Sequence, residues 1–370
     1  MKKRKFLFSP GLLLAAVFLS AGMVASAQSV RDSRTKSKSY AVSSETTLEV
    51  ENKYGTILIV PWNKDSVKID AEIFLEAKNS SKLRKLKNDI DISFTGTRTY
   101  VIARTEIGDG GSRLGSELRA LSNTLVSNTT VEVNYTIYLP DYIDLVLTNK
   151  FGDIYIDDLN GDVDISLSNG VLKANHIPGT SRVELIFAKA MIRELGTTSL
   201  KMSYGELTLG SVKQLDLSSK SSDIQIDSAD VIKIDSRRDK MQIGEVEYLY
   251  GISSFTDITI QDFIREADCE MSYGNLIIEN VSPDFSKINI ESDYTDITLY
   301  TSAESNYTVD ILRNDKAVVR LPQQNAVLQT NRTGEDFLTT VGRIGSGKSQ
   351  KHINIKADHK CYINISIRQP

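Results

Sequence analysis

The feature that most restricts this chain is a pattern that keeps returning between Phe151 and Leu299: a two-residue turn followed by an alternating apolar pair. The first residues of these pairs are Ile154, Leu172, Ala190, Leu207, Ile224, Met241, Ile258, Leu276 and Ile297, spaced by 18, 18, 17, 17, 17, 17, 18 and 21 residues. A unit this short has an apolar face and too little chain to cover it, so copies must stack on one another. Within each unit apolar and polar residues alternate, as in Glu206-Leu207-Thr208-Leu209 and Gln214-Leu215-Asp216-Leu217. That is the period of a half-buried strand, not of a helix. Two strands of about four to five residues, roughly 15 Å each, fit in one unit. The expected fold is all-β: a single-stranded parallel β-helix or β-roll solenoid of 17–18-residue coils. Successive coils would lie about 4.8 Å apart, with Leu, Ile and Val from two strand faces meeting in a narrow core.

Each first strand is preceded by a doublet: Tyr54-Gly55, Phe151-Gly152, Asn169-Gly170, Phe187-Ala188, Tyr204-Gly205, Ser221-Ser222, Arg238-Asp239, Phe255-Thr256, Tyr273-Gly274 and Tyr294-Thr295. Gly and Asn suit a corner that needs positive φ. The aromatic of one coil would lie over that of the next, giving a partial column of rings. Tyr54, Phe151, Tyr204, Phe255, Tyr273 and Tyr294 are therefore the candidate interaction surface, as rings packed at a corner or as an exposed strip on which sugars stack. The following position runs Asp153, Val171, Lys189, Glu206, Asp223, Lys240, Asp257, Asn275, Asp296. Lysines interrupt the acids, which fits a solvated, charge-mixed edge and not a calcium ladder.

Residues 1–27 read as a secretory signal, with Lys2, Lys3, Arg4 and Lys5, an apolar stretch around Leu12 to Leu19, and Ala25-Ser26-Ala27 before Gln28. No cysteine follows that stretch until Cys269, so a lipoprotein is not expected. The whole chain has 44 Lys+Arg and 48 Asp+Glu; losing four basic residues leaves 40 against 48, a net charge near −8. Such acidity argues against nucleic acid or an anionic membrane as partner. No later apolar run approaches the roughly 18 residues of a transmembrane helix. The expected product is exported to the periplasm, cell surface or medium. Cys269 and Cys361 share parity with inward residues and lie 92 residues apart. At 17 to 21 residues per coil that is about four to five coils, or about 20 Å, against the roughly 4.4 to 6.8 Å between Cα atoms that a disulfide needs. Two buried free thiols are expected.

Along the chain, residues 28–45 read as a disordered linker, and 46–370 as one β-solenoid domain. Leu48 to Leu75 supplies a first coil, and Ile57 corresponds to Ile154, 97 residues later. An insertion over 78–130 separates them. Ser80 or Ser81 can cap a short helix with Leu83, Leu86 and Ile90 on one face, closing the open end of the stack. Ile92 to Phe94, Tyr100 to Ala103 and Val131 to Leu139 read as strands, and Gly108 to Asn128 as a loop. Regular repeats fill 150–300. A C-terminal cap over 301–370 holds strands at Tyr307 to Leu312 and Ala317 to Leu321, with Pro322 to Lys351 mostly loop.

Gly342 to Ser349 satisfies the phosphate-loop pattern letter for letter, but that loop works only between a buried strand and a helix N-terminus. Here Gln350 to Ile355 alternates as a strand, so nucleotide is not an expected partner. Asp157, Asp158, Asp162 and Asp164 lack the ligand order of a calcium loop, and His176, His352 and His359 fit no metal spacing. No nucleophile elbow or Cys/His pairing stands out. No catalytic residue, metal or cofactor is assigned.

At Lys53 to Ile57, Lys150 to Leu159, Ser203 to Leu207 and Ser272 to Leu276 the chain resembles the exported β-strand-repeat proteins of Bacteroidetes-type bacteria, a domain of unknown function often labelled "putative adhesin". The resemblance spans Leu48 to Ile367. It implies a right-handed parallel β-helix-like roll in the cell envelope and carries no catalytic residues to transfer. Phe187-Ala188, Ser221-Ser222 and Arg238-Asp239 depart from the pattern and would leave the aromatic column broken. The expected function is a non-enzymatic envelope protein presenting a repetitive strand surface to a protein or glycan. The alternative is a carbohydrate-active enzyme, a lyase or hydrolase, on the same scaffold. An enzyme would place its carboxylates or cations in a groove walled by long turns, and these turns are mostly too short for that.

Overall fold

The computed structural model describes residues 29–108 and 129–368; the expected signal segment and most of the Gly108 to Asn128 loop lie outside them. The fold is all-β with one helix among the described residues. The regular part comprises β8 (Asp144–Lys150), β9 (Ile154–Ile156), β10 (Val163–Ser168), β11 (Val171–Ile186), β12 (Lys189–Ser203), β13 (Glu206–Lys220), β14 (Asp223–Arg237), β15 (Lys240–Val281) and β16 (Lys287–Thr301). From β11 onward each strand runs through both halves of a repeat and pairs in parallel with the next. The result is a long, mostly parallel sheet that stays open.

The register is the one that the period dictates. Ile154, Leu172, Ala190, Leu207, Ile224 and Met241 face one another in successive strands, as do Leu276 and Ile297 farther along. All are buried. The second halves form a parallel row of their own: Leu147, Ile165, Val183, Leu200, Leu217 and Ile234. The inward residues of both rows belong to one hydrophobic cluster, so each aliphatic side chain is shielded by its own coil, by the two neighbours and by the opposite row.

The first coil is β2 (Thr47–Lys53) and β3 (Ile57–Pro61), and Ile57 pairs directly with Ile154 despite the intervening chain. The insertion is therefore not stacked between these coils. It lies on the far side of the first one and holds α1 (Ser80–Asp89), β5 (Ile90–Gly96) and β6 (Tyr100–Ile107), with β7 (Thr130–Leu139) following; β4 (Ser66–Ala77), expected as a strand of the first coil, leaves it and joins this end instead. β7 continues one row beyond β3 and β6 continues the other beyond β2, both in parallel. β4 and β5 then pair antiparallel with β7 and β6. α1 covers this end with buried Leu83 and Leu86; its N-cap is Asn79, whose side chain accepts from Lys82 N–H at 2.9 Å, one residue earlier than the expected serines.

The expected disordered linker over 28–45 is overturned for its described residues. Val30–Ala41 forms β1, paired antiparallel with β4 over all twelve residues. Most of its charged side chains have partners. The Lys36 ammonium donates to Ile92 O at 2.9 Å and pairs with Asp91 at 2.7 Å, Lys87 reaches Asp32 at 2.8 Å, and the Arg34 guanidinium donates to Ile90 O. Cations thus bridge the open mouth between the two rows, a position where a solvated edge strand needs charge and not apolar surface.

The C-terminal end also differs from a simple continuation. β21 (His352–Ala357) and β22 (Tyr362–Ile367) pair directly with β16, Ile288 facing Ile353 and Ile297 facing Ile363. β17 (Tyr307–Asn314) and β18 (Val318–Arg320), earlier in sequence, lie outside them. Much of Pro322 to Lys351 is an antiparallel hairpin of β19 (Ala326–Arg332) and β20 (Phe337–Ile344), with β20 also pairing β17, where a loop was expected. Cys269 faces Ile290, which faces Ile355 of the coil that bears Cys361. The cysteines are two coils apart, about 10 Å and still too far for a disulfide, instead of the expected four to five. Both are free and buried, and burial raises both thiols, that of Cys269 to about 12. The Gly342 to Ser349 segment leads from β20 into β21, with no helix after it.

Candidate functional site: the corner column

Ten residues stand one above another at the corner between the rows, and all have left-handed backbone: Tyr54, Phe151, Asn169, Phe187, Tyr204, Ser221, Arg238, Phe255, Tyr273 and Tyr294, with φ between 51° and 66°. The expectation that Gly or Asn supplies the positive φ holds only for Asn169 and, in part, Gly274. In most coils the residue before the small one takes that conformation. Glycine serves a different purpose. A Cβ on Gly152 would sit 1.9 Å from Gly55 O, and one on Gly205 2.1 Å from Ala188 O, so these corners press on the preceding backbone. The non-glycine members of that position, Ala188, Ser222, Asp239, Thr256 and Thr295, are buried.

Left-handed backbone costs a non-glycine residue on the order of 1–3 kcal/mol unless its surroundings hold it. Here two things do. From Tyr54 to Arg238 the corner N–H groups donate to the next coil, for example Tyr204 N–H to Lys220 O and Arg238 N–H to Ser254 O, at 3.0 and 2.9 Å. The conformation also throws the side chain outward, where rings one coil apart stack. Tyr54 and Phe151 lie 5.6 Å apart, Phe187 and Tyr204 5.0 Å, Phe255 and Tyr273 4.7 Å, and Tyr273 and Tyr294 5.0 Å, with interplanar angles of 2° to 18°. The coil spacing of about 4.8 Å falls within the stacking range, so the scaffold itself sets the ring separation. His359, from the turn between β21 and β22, extends the last run at 4.5 Å from Tyr294 and pairs with Asp293 at 2.5 Å.

Of the six residues singled out from sequence, Phe151, Tyr204, Phe255, Tyr273 and Tyr294 are exposed, while Tyr54 is partly buried. The rings are both packed on each other and open to solvent at their rims. Cations sit against them: Lys53 lies 4.8 Å from the Tyr54 ring centre, Lys220 5.6 Å from Tyr204, and Arg238 5.8 Å from Phe255. Phe187-Ala188 does not break the column, since Phe187 stacks on Tyr204 and is 57% exposed. Rings are missing at Asn169, Ser221 and Arg238, the last two as expected, and Arg238 sets its guanidinium against Phe255 instead.

The position after the small residue forms the mixed-charge edge expected of it. Lys189 pairs with Glu206 at 2.7 Å, Asp153 accepts from Val171 N–H at 2.9 Å, and Asp257 accepts from Asn275 at 2.7 Å. The Asp157 to Asp164 cluster is likewise tied one coil along: Asp158 to His176 at 2.6 Å, Asp162 to Thr180 N–H at 2.8 Å, Asp164 to Arg182 at 3.1 Å. The hydrogen bond from His176 holds the Asp158 carboxyl below the usual carboxylate range. Among the described residues no group of three or more His, Cys, Asp or Glu is placed to hold a metal ion. No described helix is long and apolar enough to cross a membrane.

The structural neighbours of this chain are described as adhesins. A crystal structure of a "putative cell adhesion protein" from Clostridium sporogenes is similar over 90% of this chain and 100% of that one, at 13% identity and a TM-score of 0.20. A "putative adhesin" from Bacteroides fragilis is similar over 90% and 97%, at 10% identity and a TM-score of 0.25. A "putative adhesin" from Parabacteroides merdae is similar over 72% and 92%, at 9% identity and a TM-score of 0.25. No protein-family model and no curated protein matches the chain.

Sequence reasoning missed two members of the column. Phe187 was legible, since it occupies the same step of the period as Tyr204; requiring a following glycine hid it. His359 was not, because it reaches the column only through the re-entry of β21 and β22 beside β16.

Proposed function

We propose that this chain is an exported, non-enzymatic cell-envelope protein, built as a parallel β-helix, that presents the corner column as a binding strip for a protein or glycan partner, with a glycan favoured. The observation that carries the reading is the run Phe255, Tyr273, Tyr294 and His359, stacked at 4.5 to 5.0 Å with the first three rings more than 40% exposed. Exposed apolar rings held in a costly backbone conformation, in single file on a rigid scaffold, are poorly explained by the core, which is complete without them. A row of ring faces and edges rimmed by hydrogen-bonding side chains suits the CH faces and hydroxyls of saccharides. Export rests on the expected removal of residues 1–27, which would place the mature terminus two residues before β1.

The test is a glycan panel probed with the exported chain and with a Phe255→Ala/Tyr273→Ala/Tyr294→Ala variant, reading both retention and product release. Binding without turnover, weakened at least tenfold in the variant, is the expected result. Turnover of any polysaccharide would overturn the non-enzymatic reading. Absence of any glycan bound would leave a protein as the partner of the strip.

A further inference from the structure

We infer that the break in the ring column at Ser221 is a subsite for one neutral hexopyranose unit; this rests on the reading of the column as a glycan-binding strip and assigns its register. The backbone runs through the break unchanged, since Ser221 has φ 52° against 58° for Tyr204. Only the ring is missing. On one side stand Phe187 and Tyr204, on the other Arg238 over Phe255 and the run beyond it. The surface between them is an open depression lined by Tyr204, Ser221, Arg238 and Phe255, with Glu206 and Lys240 beside them. Tyr204 is 45% and Phe255 51% exposed, so the walls of the depression carry ring surface that no side chain of the column covers completely.

Size decides how much can enter. Tyr204 and Arg238 are two coils apart, about 9.6 Å along the stack. That is twice a stacking distance of about 4.8 Å, which leaves room for one ring between them and not for two. The Lys220 ammonium now rests 5.6 Å from the Tyr204 ring centre, on a long side chain that can swing aside to the rim.

Charge decides what kind of ring. Among the described residues the depression is lined by Glu206, Asp223, Asp239 and Asp257 against Arg238 and Lys240. Asp239 is turned inside and spends its carboxylate on Ser219, Ser222, Ser236 and Arg237. Glu206 is held by Lys189 and Asp257 by Asn275, so both are positioned. Asp223 and Lys240 face each other in register, and neither makes a side-chain hydrogen bond or ion pair among the described residues. Carboxylate acceptors interleaved with cationic donors match vicinal hydroxyls, each of which donates and accepts. With Asp239 inside and Glu206 paired to Lys189, Asp223 and Asp257 balance Arg238 and Lys240, so a uronate or phosphate would set its charge beside Asp223 and a cation would set its own beside Lys240. A neutral pyranose has no such conflict: its CH face lies on Tyr204 and its hydroxyls reach Asp223 and Lys240.

Saturation-transfer NMR on the exported chain, with the methyl glycosides of glucose, galactose, mannose and glucuronic acid as probes, tests this. At least one neutral glycoside should receive saturation, more strongly than the glucuronide. Ser221→Tyr, which the same corner conformation accommodates at Tyr204, Tyr273 and Tyr294, should fill the gap and weaken binding at least tenfold. Tyr204→Ala should do the same by removing a wall, which keeps the test alive if Ser221→Tyr misfolds. Val327→Ala, exposed on the hairpin of the C-terminal cap and away from the column, should change it less than twofold. A glucuronide preference, no transfer to any neutral probe, or full binding by folded Ser221→Tyr would overturn the subsite. If the panel glycans still bind through Phe255, Tyr273 and Tyr294 while Ser221→Tyr is neutral, the strip stands and the subsite falls.

Discussion

At the scale of single residues, the corner shows how one position can be read correctly and its physics misassigned. The aromatic–glycine doublet was visible as a recurring pair, and glycine is the usual bearer of left-handed backbone. What a sequence does not display is which residue of the doublet turns left-handed: it is the ring-bearing one before Gly152 and Gly205, and equally before Ala188 and Thr256. Asp239 carries the same lesson further. It occupies a glycine-equivalent position, yet it is only 5% exposed. Four donors account for that burial: Ser222 N–H at 2.7 Å, Arg237 N–H at 3.1 Å, and the Ser219 and Ser236 hydroxyls at 2.6 and 2.7 Å. Asp239→Ala would leave those groups unpaired in the interior, and is expected to cost about 2–4 kcal/mol. Asp239→Asn, which keeps one carbonyl acceptor, should cost less. Urea denaturation measures both, and an alanine variant within about 0.5 kcal/mol of wild type would show that water satisfies the site instead.

Among elements, legibility followed burial. Strands of the regular array announce themselves because one face is fully apolar, and a period of 2 then has a physical cause. β1 and β19 do not, since an edge strand keeps polar side chains on both faces and its composition matches that of a loop; β20, paired on both sides, buries only Thr340 and Ile344 and so lacks a fully apolar face. The sharpest check on the register is a pair of neighbours on β14. Ile224 is fully buried between Leu207 and Met241, whereas Gln225 points to solvent. Ile224→Asp would bury an unpaired carboxylate and open space against two coils at once, costing on the order of 4 kcal/mol or more. Gln225→Asp should stay within about 1 kcal/mol. Chemical denaturation compares them, and coincident midpoints would mean that the inward column is misplaced.

For the whole molecule, the open ends pose the physical problem, because a stack of parallel coils has two faces of unpaired backbone and no closure to remove them. Both are finished with antiparallel strands, β1, β4 and β5 at one end and β19 and β20 at the other. This order was hidden from sequence because each cap is assembled from segments that leave the array and return beside a strand far away in the chain, as β7 does beside β3 and β21 beside β16. β1 is the outermost piece of the first cap. Behind it β4 presents Val67, Ile69, Ala71, Ile73 and Leu75, all fully buried, on a twelve-residue edge. Deleting residues 28–41 would free that edge and also remove Lys36 and Arg34 from Ile92 and Ile90, loosening the bridge between the rows. The edge is long, and without β1 it lacks the basic side chains that discourage pairing with another copy. The truncated chain is therefore expected to keep its parallel array, seen as an unchanged far-ultraviolet β signal, while forming dimers and larger species as concentration rises. Light scattering coupled to size exclusion reads this directly. A truncated chain that stays monomeric at the concentrations where the full one does would mean that β4 is protected by something other than β1.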